Sequence, residues 1–252
     1  MKISIITVCL NSDETIEDAI KSILAQSYDD IEYIIVDGGS TDETLSIIKK
    51  YKDGISQYIS EPDKGIYDAM NKGAKLASGE LIAFLNSDDT YHDKDTIADM
   101  VNFIQRRKLD AGYGDIKYVG ANNANRVVRY WKTGEYKKGA FRRGWVIPHP
   151  AFFCKREYFE QYGYFESSFK IAADFELMLR LIEKKHIKIG YLPKTIATMR
   201  VGGASTNFKG IVQGNIEILK SFRMNNMYCS PLFFLHKPIL KLRQLVFRKA
   251  KQ

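Results

Sequence analysis

Two adjacent carboxylates, Asp88 and Asp89, leave the end of a short apolar run, Leu81-Ile82-Ala83-Phe84-Leu85, bounded by Gly79 on one side and Asn86-Ser87 on the other. Such a run reads as a strand buried on both faces, which fixes its exit in space. In an open α/β sheet, ligands gather at the carboxyl ends of strands, so acids placed there face a cleft. Two hard oxygen ligands beside a phosphate suit Mg²⁺ or Mn²⁺, which takes one or two protein carboxylates and keeps several waters. The same stretch is equally compatible with a polar turn whose aspartates cap the next helix.

A third acid, Asp174, precedes a stripe of Phe175, Met178, Leu179 and Ile182 at helical spacing. It reads either as a helix N-cap or as a carboxylate that the positive helix end keeps ionised, ready to accept a proton, and the two are compatible. Lys64, in the loop Asp63-Lys64-Gly65, is a phosphate contact or a solvated turn lysine. His149 lies between Pro148 and Pro150, which hold their neighbours extended, and a lone histidine there reads first as a hydrogen-bonded structural residue. In RVGGAST, Arg200 and Ser205 with the two glycines form either a loop able to close over a diphosphate or an ordinary turn.

The elements that must position these groups alternate strand, loop and helix from Ile3 to Val8 onward, which predicts an α/β fold with a mostly parallel central sheet flanked by helices. Ile16, Ala19, Ile20, Ile23 and Leu24 mark one face of a helix, with Asn11 to Asp13 available as its cap. Asp37 leaves the second strand, Gly38 and Gly39 permit a tight turn, and Ser40 with Glu43 has capping-box spacing for a helix carrying Leu45 and Ile48 inward. A strand, glycine turn and helix start of this kind lets backbone N–H groups and one carboxylate meet a nucleotide. A further helix follows Gly65, with Ile66, Met70, Gly73 and Ala74 inward.

At 252 residues and 45% hydrophobic content the chain can bury a full core, and it reads as one globular domain with a C-terminal extension. The apolar start lacks a cleavage site and reads as a strand, and no run of about 20 apolar residues predicts a membrane span. Cys9, Cys154 and Cys229 have neither metal-ligand spacing nor a disulfide framework, consistent with a reducing cytoplasm. The net charge of +8 gathers in residues 230–252, where Lys237, Lys241, Arg243, Arg248, Lys249 and Lys251 interleave with aliphatic and aromatic residues and no acid. That segment reads as an amphipathic tail lying in a membrane interface, or as a terminal helix packed on the domain. No nucleic-acid-binding motif accompanies the charge, so nucleic acid is not expected as a partner. TVCLNSDE after the first strand, in place of G-x-G-x-x-G, argues against a dinucleotide-dependent oxidoreductase.

Taken in order, ITVCLN at 6–11, IVDGGSTDETL at 35–45, EPDKGIYDAMNKG at 61–73, ASGELIAFLNSDD at 77–89 and AADFELMLRL at 172–181 resemble the family 2 glycosyltransferases of GT-A fold. Within that family they are similar to bacterial members that assemble O-antigen, capsule or exopolysaccharide repeat units. The resemblance implies a catalytic domain over 1–229, with a nucleotide-binding half of about 1–115 and an acceptor-side half of about 116–229, followed by the tail 230–252. It implies that Thr7 and Asn11 line the nucleotide pocket, that Asp37 meets the uracil of a UDP-sugar, and that Asp88 lies near the ribose and sugar. Asp89 would hold Mn²⁺ or Mg²⁺ against the diphosphate, Asp174 would be the catalytic base, and His149 would lead toward the acceptor pocket. Many relatives read DDGS where this chain reads DGGS, so Gly38 brings no second acid. The implied reaction is an inverting, metal-dependent transfer from a UDP-sugar to a saccharide acceptor linked to polyprenyl diphosphate, in the cytoplasm, with the protein peripheral at the inner face of the membrane. A nucleotide-sugar-binding protein without turnover would need neither Asp89 nor Asp174, and a nucleotidyltransferase would release pyrophosphate in place of UDP.

Overall fold

In the computed structural model, which describes residues 1–121, 123–202, 207–230 and 233, the N-terminal half follows the hydrophobic periodicity closely. Strands β1 (Ile3–Cys9), β2 (Ile31–Asp37), β3 (Gln57–Ser60) and β4 (Leu81–Phe84) alternate with helices α1 (Ile16–Leu24), α2 (Thr44–Lys50) and α3 (Ile66–Leu76). The four strands lie in the order β3-β2-β1-β4 and pair in parallel. Every residue of β1 and β4 is buried, as expected for parallel strands covered on both faces. Because successive side chains point to opposite faces, Ile6, Val8, Ile34 and Val36 join one apolar layer with α3, while Ile5, Cys9, Tyr33 and Ile35 join another with α1 and α2. Gly73 lets α3 approach the sheet, since a Cβ there would lie 2.4 Å from Ile6 Cγ2.

The chain runs outward from β1 through β2 to β3, then returns to place β4 on the other side of β1. That reversal opens a crevice at the carboxyl ends of β1, β2 and β4, the position where open α/β sheets bind ligands.

The second half adds β5 (Thr90–Tyr91), α4 (Thr96–Arg107), β6 (Ala111–Gly120), β7 (Asn123–Trp131), β8 (Phe152–Lys155), α5 (Arg156–Tyr162), α6 (Ala173–Met178), β9 (Ile189–Arg200) and α7 (Phe208–Met224). A π-helical turn, Leu179–Lys184, prolongs α6. Strand β8 inserts between β4 and β6, antiparallel to both, so the sheet is mixed from this point on. Strand β6 pairs in parallel with β9 and forms a hairpin with β7. Helices α5, α6 and α7 join the α3 layer, and α4 joins the layer of α1 and α2. Among the described residues no helix is long and apolar enough to cross a membrane.

Several local expectations give way to specific competitors. Asn11 to Asp13 do not cap α1 through their side chains: the Ser12 carbonyl accepts from the Thr15 and Ile16 N–H groups, and the N–H groups of Ser12 and Asp13 are themselves held by Thr44 and Asp42. Leu24, at the last turn of α1, is 42% exposed and leans over Gly54. The capping box of Ser40 and Glu43 does not form, because the Ser40 hydroxyl donates to Asp37, and Asp42 accepts the Thr44 N–H. Ile66 is 41% exposed, and Tyr67 takes the inward place expected of it. Phe233 is fully buried and meets Phe175 and Phe222 edge-on. The rest of the basic tail after Ser230, residues 231, 232 and 234–252, lies outside the described residues.

Candidate active site

The loop after β2 is organised around Asp37. Its buried carboxylate accepts from the Gly39 N–H (3.2 Å), the Ser40 N–H (3.1 Å), and the hydroxyls of Ser40 (2.5 Å) and Ser60 (2.6 Å). Burial alone would raise its pKa, but these donors outweigh it and hold the carboxyl below its ordinary value. The Asp37 oxygens therefore face their own turn. Asn11, at φ +48°, accepts the Thr41 N–H at 2.9 Å and donates its own N–H to Ser40, which joins the β1 and β2 loops. Asparagine tolerates that left-handed backbone better than most residues. Thr7 sits deeper, fully buried in the sheet, where it accepts from the Tyr33 hydroxyl.

Beside this turn lies a residue that local sequence reasoning passes over. A Cβ on Gly38 would stand 2.4 Å from Asp63 Oδ2, so the Asp63 carboxylate fills the space a side chain at position 38 would use. Asp63 Oδ1 accepts the Gly65 N–H at 2.7 Å, which anchors the group from behind. Lys64 is exposed on the same loop, its backbone N–H bound to Asp68.

At the exit of β4, Asp88 is exposed and Asp89 is 1% exposed. Neither caps a helix, since β5 follows at once and α4 begins only at Thr96. Among the described residues both oxygens of Asp89 lack a hydrogen-bond partner, as do Asn86 Oδ1 and His149 Nε2, all of them buried. Burial first, and then the Asp88 charge, push the Asp89 carboxyl well above the usual carboxylate range; the backbone and charge of Arg200 oppose this without completing a hydrogen bond. A buried carboxylate with no donor is costly unless a ligand supplies the missing positive charge. The hydroxyl of Ser87 meets that of Ser12 at 3.0 Å, tying this exit to the β1 loop. Among the described residues no three His, Cys, Asp or Glu side chains converge on one point. A hard cation here would thus take its remaining ligands from water and a bound diphosphate, the habit of Mg²⁺-like ions. Arg200 ends β9 with its guanidinium 2.5 Å from Asp18 on α1; Ser205 lies outside the described residues.

Asp174 stands in the first turn of α6, with Ala172 at the N-cap position, so it is not the N-cap. Its Oδ1 accepts from the Phe175 N–H (2.7 Å) and the Tyr67 hydroxyl (3.3 Å), while Oδ2 makes no hydrogen bond among the described residues and lies 3.8 Å from His149 Nδ1. Both side chains line one small cavity with Phe84, Phe152 and Phe165. Burial lowers the His149 pKa, against the opposing charges of Asp174 and Asp88, so the ring is neutral near pH 7. Tyr118 on β6 is within electrostatic reach of both Asp89 and Asp174, and the Arg129 guanidinium stands 3.9 Å above its ring. The structure thus gathers Asp88, Asp89, His149, Asp174 and Arg200 around the β4 exit, with Asn11, Asp37 and Asp63 in the adjoining turn; it keeps Thr7 in the core and Lys64 at the surface.

The segment leading into α6 is held by Glu217 of α7, a buried residue that sequence spacing alone reads as part of a helix face. Its carboxylate accepts the N–H groups of Lys170, Ile171 and Ala172, each at 2.8 Å. Glu217→Gln replaces one acceptor oxygen with a donor, and should cut the catalytic rate constant about tenfold while leaving donor affinity unchanged, on the scale of one lost charge-assisted bond. Comparing kcat with the donor Kd checks this, and equal loss in both would mean a general loosening of the fold.

The chain matches the model of the family described as "Glycosyl transferase family 2" over residues 4–163. It is 30% identical over 208 residues, 81% of this chain and 78% of the other, to a Mycobacterium bovis protein named "PGL/p-HBAD biosynthesis glycosyltransferase". An Escherichia coli protein named "UDP-Glc:alpha-D-GlcNAc-diphosphoundecaprenol beta-1,3-glucosyltransferase WfaP" is 39% identical over 114 residues, 45% of each chain. The fold is that of S. aureus TarS 1-349, solved in complex with UDP, at TM-score 0.70 and 20% identity, covering 98% of this chain and 71% of that one. The chain belongs to glycosyl transferase family 2 and is a glycosyltransferase with a GT-A fold.

Proposed function

We propose that the chain moves a hexose or N-acetylhexosamine from a UDP-sugar to a saccharide hydroxyl on a polyprenyl-diphosphate-linked acceptor, with inversion, in cell-surface polysaccharide synthesis. The observation that carries this reading is the Asp89 carboxylate, buried and without a donor beside the unpaired polar atoms of Asn86 and His149. Asp89 would hold Mn²⁺ or Mg²⁺, which supplies positive charge where the departing diphosphate becomes negative. Asp88, exposed next to it, would meet the ribose or the sugar. The acceptor oxygen attacks the anomeric carbon as the bond from that carbon to the diphosphate oxygen breaks. The hydroxyl proton passes to Oδ2 of Asp174, the oxygen left unbonded by Tyr67 and Phe175. Neutral His149 lines the same cavity, so it sets no positive charge of its own beside the base. Arg200 and Ser205 would meet the diphosphate or the acceptor side, and Lys64 the phosphates from the surface.

Base recognition in this reading falls to the turn that Asp37 shapes together with Asp63. Asp63 takes the position that a second acid at 38 would occupy, leaving Oδ2 to accept from the uracil imide. Asp63→Ala should weaken UDP binding by about tenfold to 100-fold, the range of a hydrogen bond to a charged group. Gly38→Asp in an Asp63→Gly background should recover most of the loss, whereas Gly38→Asp alone should not, because the two carboxylates collide. Calorimetry with UDP decides it: parental affinity in Asp63→Ala limits this residue to shaping the loop.

A silent sugar-nucleotide binder is disfavoured by Asp174, whose free oxygen serves turnover and not binding. The reading as a whole is tested by incubating a panel of UDP-sugars with a lipid-diphosphate-linked saccharide, with and without Mn²⁺. UDP release that requires both acceptor and metal is expected; release of pyrophosphate, or none with any donor, overturns it.

A further inference from the structure

Helix α7 is apolar on two sides. One side packs inward through Gly210, Gly214, Ile218 and Phe222. The opposite side carries Phe208, Ile211, Val212, Ile216 and Leu219, between 36% and 80% exposed, with Phe208 the most open. Contiguous apolar surface of this kind on a folded domain marks an interaction site. The exposed residues beside the stripe include Lys209 and Arg223, and the sole acid of the helix, Glu217, is buried on the inner side.

We infer that the outer face of α7 docks the enzyme on a membrane surface bearing anionic lipids, with Phe208, Val212 and Ile216 entering the interface and Lys209 and Arg223 facing the headgroups. Charge selects this occupant. A second copy of the same face would bring Lys209 and Arg223 against their own kind. The segment 234–252 carries six lysines and arginines and no acid, so laying it over the stripe would also set cations against cations. An anionic lipid surface satisfies both the stripe and its flanks, and attracts the segment 234–252 as well. This surface is distinct from the sugar-transfer site and does not depend on which donor that site takes.

Co-sedimentation of the full-length chain with phosphatidylglycerol–phosphatidylcholine vesicles, against phosphatidylcholine alone, tests the inference. The parent should bind the anionic vesicles selectively. The variant F208S/V212S/I216S should bind them at least about tenfold more weakly, and K209E/R223E should lose a similar factor at low salt and little at high salt. All three proteins should bind UDP equally, which separates docking from the chemistry. A parent that ignores anionic vesicles, or a triple-serine variant that binds as the parent does, overturns the inference. So does a parent dimer that the triple-serine variant splits, the sign of a second copy on this face. Phe208→Cys that stays unreactive toward a maleimide in the absence of vesicles would mean that residues 234–252 already cover it, and overturns the inference as well.

Discussion

Asp89→Asn is expected to fold more stably than the parent and to transfer no sugar. The carboxylate is buried, neither oxygen completes a hydrogen bond among the described residues, and burial together with Asp88 raises its pKa well above the ordinary 3.8. The folded protein therefore binds a proton at this site that the unfolded chain has already released. By linkage, stability falls as pH rises from about 3.8 toward the raised value, so part of the cost is already present at neutral pH without metal. Asparagine keeps the shape and removes the buried charge. In metal-free buffer at pH 7 its melting temperature should exceed the parent's by about 2–4 °C for each kcal/mol relieved, and the gap should close near pH 4. Mn²⁺ should stabilise the parent and leave the variant unchanged. Melting curves across pH, with and without Mn²⁺, check all three statements. A variant less stable than the parent at pH 7, or one that turns over normally, contradicts them.

Asp174→Asn should lower the rate of transfer by about 100-fold or more, the usual scale for a lost general base, with donor affinity retained. The Asn carbonyl oxygen can still accept from Phe175 and Tyr67 as Oδ1 does, so the local structure holds. What disappears is the basic oxygen 3.8 Å from His149 Nδ1, which makes no hydrogen bond among the described residues. Single-turnover transfer from saturating donor isolates this step from binding, and a rate within twofold of the parent's would leave Asp174 only its structural contacts.

Much of this arrangement was legible because it is periodic. The unbroken apolar runs of β1 and β4 are what doubly covered parallel strands require, and the 3.6-residue stripe of α1 fixes its buried side. Element ends were less legible, because Leu24 and Ile66 sit at helix termini, where they are 42% and 41% exposed in spite of their apolar side chains. Strand direction was not legible at β8: Phe152-Phe153-Cys154 is equally apolar run either way, and only its place between β4 and β6 makes it antiparallel. Asp88, Asp89 and Asp174 stand out locally because each sits at the edge of an apolar run, while the roles proposed for them come from the family resemblance. Asp63 and Glu217 escaped because their partners are remote in sequence: Asp63 faces Gly38, and Glu217 holds residues 170–172. No local pattern encodes such pairs. Capping at Ser40 failed for a related reason, since Asp37 competes for the same hydroxyl and wins with a charge-assisted bond.

All of this depends on Asp89 holding a divalent cation for the donor diphosphate, and titration of UDP into the metal-free parent and into the parent with Mn²⁺ addresses it most directly. UDP affinity at least tenfold higher with Mn²⁺, a gain absent in Asp89→Asn, is the predicted result. Equal affinities with and without the ion in the parent would contradict it.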